Sequence, residues 1–174
     1  FADVAHKNGV GVSGVASIPN ASINANDGAW GQALHEQVAL DNEKLAKFLH
    51  YHGVDGLGYN AEFYGMSADL PALRTQHEFI HKYLVEQGNN LAENFWYDVT
   101  NDNGGISFDG GIGSHNKETF GNGEHIRTSL FFNYNWHRSN VLNSLSNLQN
   151  VAPGRNPLDI YAGFNMQGGD PSTW

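Results

Sequence analysis

Apolar positions along the chain fall into two alternating textures. Short runs rich in Val, Ile, Phe, Tyr and small residues are followed by longer stretches in which apolar residues recur every three or four positions. The first texture is that of a buried strand and the second that of an amphipathic helix. The opening residues 1–8 read as a helix end stopped by Gly9, and 10–18 as a strand closed by Pro19. A polar loop over 20–27 leads to a helix over 31–52, with Leu34, Val38, Leu45, Phe48 and Leu49 on its apolar face and Gly53 at its end. A second strand is predicted over 54–60. The next helix opens near Pro71, where a proline is tolerated in the first turn, and stops at Gly88. Strands follow over 91–99, 128–136 and 158–166, with a helix over 138–149. The stretch 100–123 is too rich in Gly, Asn and Asp for a helix and reads as an elaborated active-site loop.

Strands alternating with helices imply a parallel sheet. Five such units occupy 174 residues, whereas a closed eight-unit barrel takes about 250. The expected fold is therefore α/β: a TIM barrel that is incomplete in this chain, with residues 1–174 as one domain. A self-contained doubly wound sheet is the alternative, and no glycine-rich phosphate loop supports it. Either architecture binds ligands at the carboxyl ends of its strands, so chemistry is to be sought there.

Composition narrows the partners. With 40% hydrophobic and 12% aromatic residues the chain can bury a core. A formal charge of -9 and only nine Lys and Arg argue against a nucleic-acid partner, because phosphate binding needs clustered cations. The chain has no run of about 18 apolar residues that would make a membrane segment, and its start lacks the layout of a signal peptide. The absence of an initiator Met fits an excerpt from a longer chain. Having no cysteine removes disulfide and thiol chemistry but leaves localisation open, extracellular or cytoplasmic. Abundant Gly and Asn beside four Trp, seven Tyr and ten Phe suit a sugar site, and turns plus core aromatics account for the same composition.

The most informative tract is Asp55-Gly56-Leu57-Gly58-Tyr59-Asn60-Ala61-Glu62. A strand alternates its faces, so Gly58, Asn60 and Glu62 should point the same way. An amide and a proton donor then stand side by side at a strand end, with space left by Gly58. Alone, N-x-E is a common motif and reads equally well as strand-end polar residues.

Five tracts together resemble glycoside hydrolase family 85, the endo-β-N-acetylglucosaminidases that cut the chitobiose core of N-linked glycans. They are Ala5-His6-Lys7-Asn8-Gly9-Val10, Asp55-Gly56 with Asn60-x-Glu62, Trp96-Tyr97-Asp98, Phe131-Phe132-Asn133-Tyr134-Asn135-Trp136, and Gly154-Arg155-Asn156-Pro157 running into Tyr161-Ala162-Gly163. The second tract also resembles the chitinase-like family 18 motif D-G-x-D-x-D-x-E, and Gly58 and Asn60 in place of its aspartates favour family 85. The resemblance implies hydrolysis of the GlcNAc-β-1,4-GlcNAc bond in which the substrate's own 2-acetamido group is the nucleophile. Glu62 would be the acid and base, with a carboxyl pKa raised by partial burial. Asn60 would orient the acetamide as an oxazoline forms, with net retention. Tyr97 would hydrogen-bond near the reacting sugar and Trp136 would wall it, while Trp96, alternating away from Tyr97, belongs to the core. Asp98 either shapes the site or caps the loop. Asn133, Asn165 and Gln167, near the ends of the last strands, could contact sugar hydroxyls. Where many family members carry a Trp-Gln pair followed by Leu-Asn, this chain has Phe108-Asp109 and then Ile112, which bears on the leaving-group side. The implied partner is an N-linked glycan or glycoprotein, with no cofactor and no metal.

Two rivals belong to other classes. His77-Glu78-Phe79-Ile80-His81 is a literal H-E-x-x-H, the zinc signature of metalloproteases, but no third ligand follows it. Its ordinary reading is a partly exposed amphipathic helix whose histidines pair with nearby carboxylates. A non-catalytic carbohydrate-binding barrel would keep Tyr97 and Trp136 but would have no need of Glu62. His50 and His52 read as favouring a helix C-terminus, His6 as packing a helix end, and 41–47 as a solvated mixed-charge face.

Overall fold

The computed structural model describes residues 1–18, 41–61, 69–108, 110–120, 128–133, 136–151 and 153–163. Five strands run parallel in one sheet, in the order of the chain: β1 (Ser13–Ile18), β2 (Gly56–Ala61), β3 (Asn94–Tyr97), β4 (Thr128–Phe132) and β5 (Ile160–Ala162). Helices α1 (Ala2–Lys7), α2 (Asn42–Tyr51), α3 (Leu70–Glu86), α4 (Lys117–Phe120) and α5 (Arg138–Val151) accompany them, and a 3-10 turn (Pro157–Asp159) leads into β5. The sheet is not closed, and among the described strands β1 and β5 are its edges.

The period-2 alternation divides the sheet into two faces. Leu57, Tyr59, Ala61, Trp96, Leu130 and Phe132 are buried in one apolar cluster with Leu70, Leu73, Ile80 and Leu84 of α3 and Leu148 of α5. These α3 positions recur at helical spacing, so one stripe of the helix covers the sheet. The packed face also carries hydrogen-bonded polar groups. The Tyr59 hydroxyl donates to Gln76, whose amide reaches Asn42 at 3.1 Å. Asn94 accepts from Leu57 N–H at 2.9 Å and donates to the His77 carbonyl at 2.7 Å, which fastens β3 to both β2 and α3. Buried polar groups satisfied in this way fix register, which apolar contacts alone leave loose.

Several boundaries differ from expectation. A helix continuous over 31–52 is excluded by Asp41, whose φ of -151° and ψ of 76° are not helical. Asp41 is instead an N-cap, accepting from Lys44 N–H at 2.9 Å, and α2 starts after it. Leu34 and Val38 lie outside the described residues. The mixed-charge run does form a solvated face, with Lys44–Asp41 and Lys47–Glu43 pairs at 2.6 Å. The strand expected over 91–99 is confined to β3, the one over 128–136 ends at Phe132, and the one over 158–166 begins at Ile160 because Asn156 caps the 3-10 turn. The loop over 100–123 contains α4 and an antiparallel bridge between Thr100 and Ile106.

The amino ends of the strands are braced by the tracts that looked most like motifs. Asp55, 1% exposed, accepts from Val12 N–H at 2.6 Å and from Asn89 at 2.8 Å, and pairs with His6 Nε2 at 2.8 Å. His6 therefore ties the end of α1 to the start of β2. A side chain at Gly56 would stand 1.8 Å from the Glu93 carbonyl oxygen, so only glycine fits. Arg155 donates to the Phe120 and Thr128 carbonyls at 2.8 and 2.7 Å and to Asp159 at 3.2 Å, clasping the start of β4.

Candidate active site

On the sheet face opposite the helices, side chains from all five strands line a cavity of about 490 Å³. Gly58 and Asn60 face it together from β2, as strand alternation requires. Gly58 pairs with Phe95 and Tyr59 with Trp96, and one further step of that register sets Asn60 across from Tyr97. Tyr97 pairs in turn with Phe131, and Phe131 with Tyr161. A row of amide and aromatic residues thus crosses the sheet toward the carboxyl ends of its strands. Below it, Gly58 lies between Val15 and Phe95, with nothing closer than 3.4 Å to the place its side chain would fill.

Tyr97 is 5% exposed and faces the cavity, whereas Trp96 is wholly buried on the other side and donates its indole N–H to Thr100 at 2.9 Å. The alternation expected for this pair therefore holds. The aromatic wall is made of Phe95, Phe131 and Tyr161 together with Tyr97. Of these, Phe95 carried no signal in the sequence, and Phe131 and Tyr161 were noticed only as parts of longer tracts. Tyr161 stands edge-on to Phe95 with ring centroids 4.8 Å apart.

Trp136 does not reach the cavity. It is half-buried against the helix-side core, and its indole N–H donates to the Gly163 carbonyl at 3.1 Å. Because β4 stops at Phe132, the strand period that was to bring Trp136 to the site does not extend that far. Asn133 follows directly after β4 and is half-buried. Phe108 is 64% exposed and is not among the described residues that line the cavity. Glu62, Asp109, Asn165 and Gln167 lie outside the described residues.

Asp98, for which two roles were open, caps and shapes the loop. It is 1% exposed, and its two carboxylate oxygens accept from Gly111 N–H and Asn133 N–H, each at 3.1 Å. Burial pushes its carboxyl up to about 6, against the pull of those backbone hydrogen bonds. The loop is pinned at further points. Asn116 accepts from Gly113 N–H and donates to the Gly111 carbonyl, both at 2.9 Å, and Ser144 of α5 accepts from Ile112 N–H at 3.0 Å. Gly111 has a φ of +99° and would place a side chain 2.1 Å from the Ser144 hydroxyl, so this turn requires glycine. Arg74 pairs with Asp102 at 3.0 Å and tethers the loop's near end to α3.

The H-E-x-x-H tract is built into the core. His77 is fully buried, stacked on Tyr59 at 4.2 Å and 3°, with its Nδ1 at 2.9 Å from the Thr128 hydroxyl. Burial drives its pKa down to about 3, so the ring is neutral. For His77 this corrects the expectation of a partly exposed ring paired with a carboxylate, whereas His81 of the same tract is half-buried.

The sequence profile described as glycosyl hydrolase family 85 matches residues 1–173. No curated protein matches the chain. Among solved structures, the glycoside hydrolase domain of Endo-D from Streptococcus pneumoniae R6 superposes with a TM-score of 0.71 at 22% identity, over 95% of this chain. The chain spans 27% of the length of that structure, so what it contains is a part of a TIM barrel. With residues 1–173 matched by the profile, this protein belongs to glycosyl hydrolase family 85.

Proposed function

We propose that the chain carries the catalytic strand of an endo-β-N-acetylglucosaminidase that hydrolyses the GlcNAc-β-1,4-GlcNAc bond of the N-glycan core with retention. The observation that carries this reading is Asn60, which faces an aromatic-lined cavity at the carboxyl end of β2 with Tyr97 as its cross-strand neighbour. Hydrolysis with no enzyme nucleophile needs something to orient the acetamide and one proton donor. Asn60 hydrogen-bonds the acetamide N–H while the acetamide oxygen closes on the anomeric carbon. Glu62, two residues on, protonates the departing oxygen and then deprotonates the water that opens the oxazoline. Tyr97 hydrogen-bonds beside the reacting sugar, and Phe95, Phe131 and Tyr161 offer rings to its apolar face. Asn133, Asn165 and Gln167 are the candidates for contact with sugar hydroxyls, and Phe108 for the leaving-group side. Trp136 and Asp98 act from behind, holding the segments around the cavity.

The test is release of glycan from a high-mannose glycopeptide by the intact protein, with the anomer formed first read by proton NMR. Loss of a positioned acid is worth about 10² to 10⁴ in rate, so Glu62→Gln should leave almost no turnover. Asn60→Ala removes an oriented hydrogen bond and should raise the barrier by about 3 kcal/mol. Near-normal release by Glu62→Gln protein, or an inverted product, refutes the mechanism.

A further inference from the structure

Beneath the cavity sits a carboxylate that the proposed chemistry does not use. Glu93 directly precedes β3, and its backbone is held on both sides: its N–H donates to the Asp55 carbonyl at 2.8 Å, and its carbonyl accepts from the Ser13 hydroxyl at 3.0 Å. Its side chain reaches across the sheet. One carboxylate oxygen accepts from the Ser129 hydroxyl of β4 at 2.5 Å, and the other from the Tyr161 hydroxyl of β5 at 2.7 Å. An acid with both oxygens engaged on two different strands is a built contact, unlike a solvated surface charge.

We propose that Glu93 is a positioning residue: by holding the Tyr161 hydroxyl it fixes the Tyr161 ring as a stacking platform for the apolar face of the bound sugar. This rests on the sugar-cleaving reading above. Tyr161 lies on an edge strand and is 36% exposed, so backbone packing alone leaves its side chain free to swing. Two contacts stop that motion, the Glu93 hydrogen bond at the hydroxyl and the edge-on contact with Phe95 at the ring. The hydroxyl is engaged by Glu93, and the ring itself lines the cavity beside Asn60, Tyr97 and Phe131. The two contacts spread the restraint over β3 and β5, so the platform depends on the two strands staying in register with β4 between them.

The experiment is a double-variant cycle in the intact protein, reading KM and kcat separately on a glycopeptide. Glu93→Ala and Tyr161→Phe should each raise KM about tenfold, the worth of one well-made charged hydrogen bond, with kcat within about twofold. The combined variant should be no worse than either alone, because both remove the same contact. Glu93→Gln, which still offers an acceptor oxygen to the phenol, should restore KM to within about threefold. Equal KM for all variants and wild type, an effect confined to kcat, or additive losses would each overturn the proposal. A substrate-free reading keeps it separate from the proposed activity. The difference in phenolate absorbance between wild type and Tyr161→Phe should develop at higher pH than for an ordinary tyrosine, since burial and the Glu93 carboxylate both disfavour the phenolate. In a Glu93→Gln background that difference should move to lower pH, and no movement overturns the contact itself. Failure of the unmodified protein to release glycan, with the titration difference intact, refutes the activity and the platform role while leaving the hydrogen bond standing.

Discussion

Replacing Asp98 by asparagine should uncouple the stability of the fold from pH in a defined window. The carboxyl is raised from 3.8 to about 6, chiefly by burial. A group whose folded pKa exceeds its unfolded one contributes stability that is fully present below the unfolded value and is lost as pH rises through the folded value. For Asp98 that window runs from about pH 4 to about pH 6, and the displacement corresponds to about 3 kcal/mol. Asparagine is nearly isosteric with the protonated acid and cannot ionise. The variant should therefore match wild type in urea denaturation at pH 4 and exceed it by about 3 kcal/mol at pH 7.5, less whatever one poorly matched backbone N–H costs, about 1 kcal/mol. Subtracting the two pH profiles isolates Asp98, because every other titrating group is common to both. Activity at pH 7.5 should fall, since the one amide oxygen serves Gly111 and Asn133 poorly together, and the end of β3 loses its hold on either the loop at Gly111 or the end of β4 at Asn133. Parallel stability profiles for variant and wild type between pH 4 and 7.5, or a variant less stable at the higher pH, would refute the reasoning.

Other substitutions separate the frame from the site. Gly56→Ala forces a methyl against the Glu93 carbonyl and should cost about 3 kcal/mol or more by chemical denaturation, with loss of soluble protein as the extreme outcome; a change under about 0.5 kcal/mol would show that the strands separate there without strain. Asp55→Ala strands the Val12 and Asn89 donors and should lower the denaturation midpoint by about 2 to 4 kcal/mol while leaving KM of the surviving folded fraction unchanged. His77→Phe keeps the stack on Tyr59 but abandons the Thr128 hydroxyl, so stability should fall by about 1 to 2 kcal/mol and glycan release should persist. Loss of release on chelation with EDTA would instead revive a metal-dependent reading of the H-E-x-x-H tract. Trp136→Phe should weaken the fold by about 1 kcal/mol through the lost Gly163 hydrogen bond and change KM less than threefold, whereas Tyr97→Phe should lower kcat by about tenfold or more.

Strand faces were the most legible feature of the sequence, because alternation is a geometric rule that holds wherever the strand itself continues. It set Gly58 and Asn60 on one side and turned Trp96 away from Tyr97. The same rule failed for Trp136, since nothing in Asn133-Tyr134-Asn135 announces that β4 ends at Phe132. Asp41 broke the expected helix for a related reason. Its side chain satisfies the Lys44 N–H, an effect that outweighs the apolar spacing on either side. Parts of the family tracts proved to be frame: Asp55, Gly56 and Arg155 brace strand starts and are not among the described residues that line the cavity. Glu93 was invisible because its partners lie 36 and 68 residues away and are an ordinary serine and tyrosine. His77 misled in the opposite direction, as a motif whose first imidazole is spent on a threonine in the core.

The open ladder has a colloidal consequence. The outer rims of β1 and β5 are complementary, both belonging to a parallel sheet, and Val15 on the first of them is 73% exposed. If this stretch were expressed by itself, β5 of one molecule could zip onto β1 of the next. Such a contact joins unlike surfaces head to tail, and unless the accumulated twist happens to close a ring, it grows without limit. Chain growth of this kind scales with protein concentration, so dilution, or a lysine placed on either rim, is the physical remedy for turbidity in such a preparation.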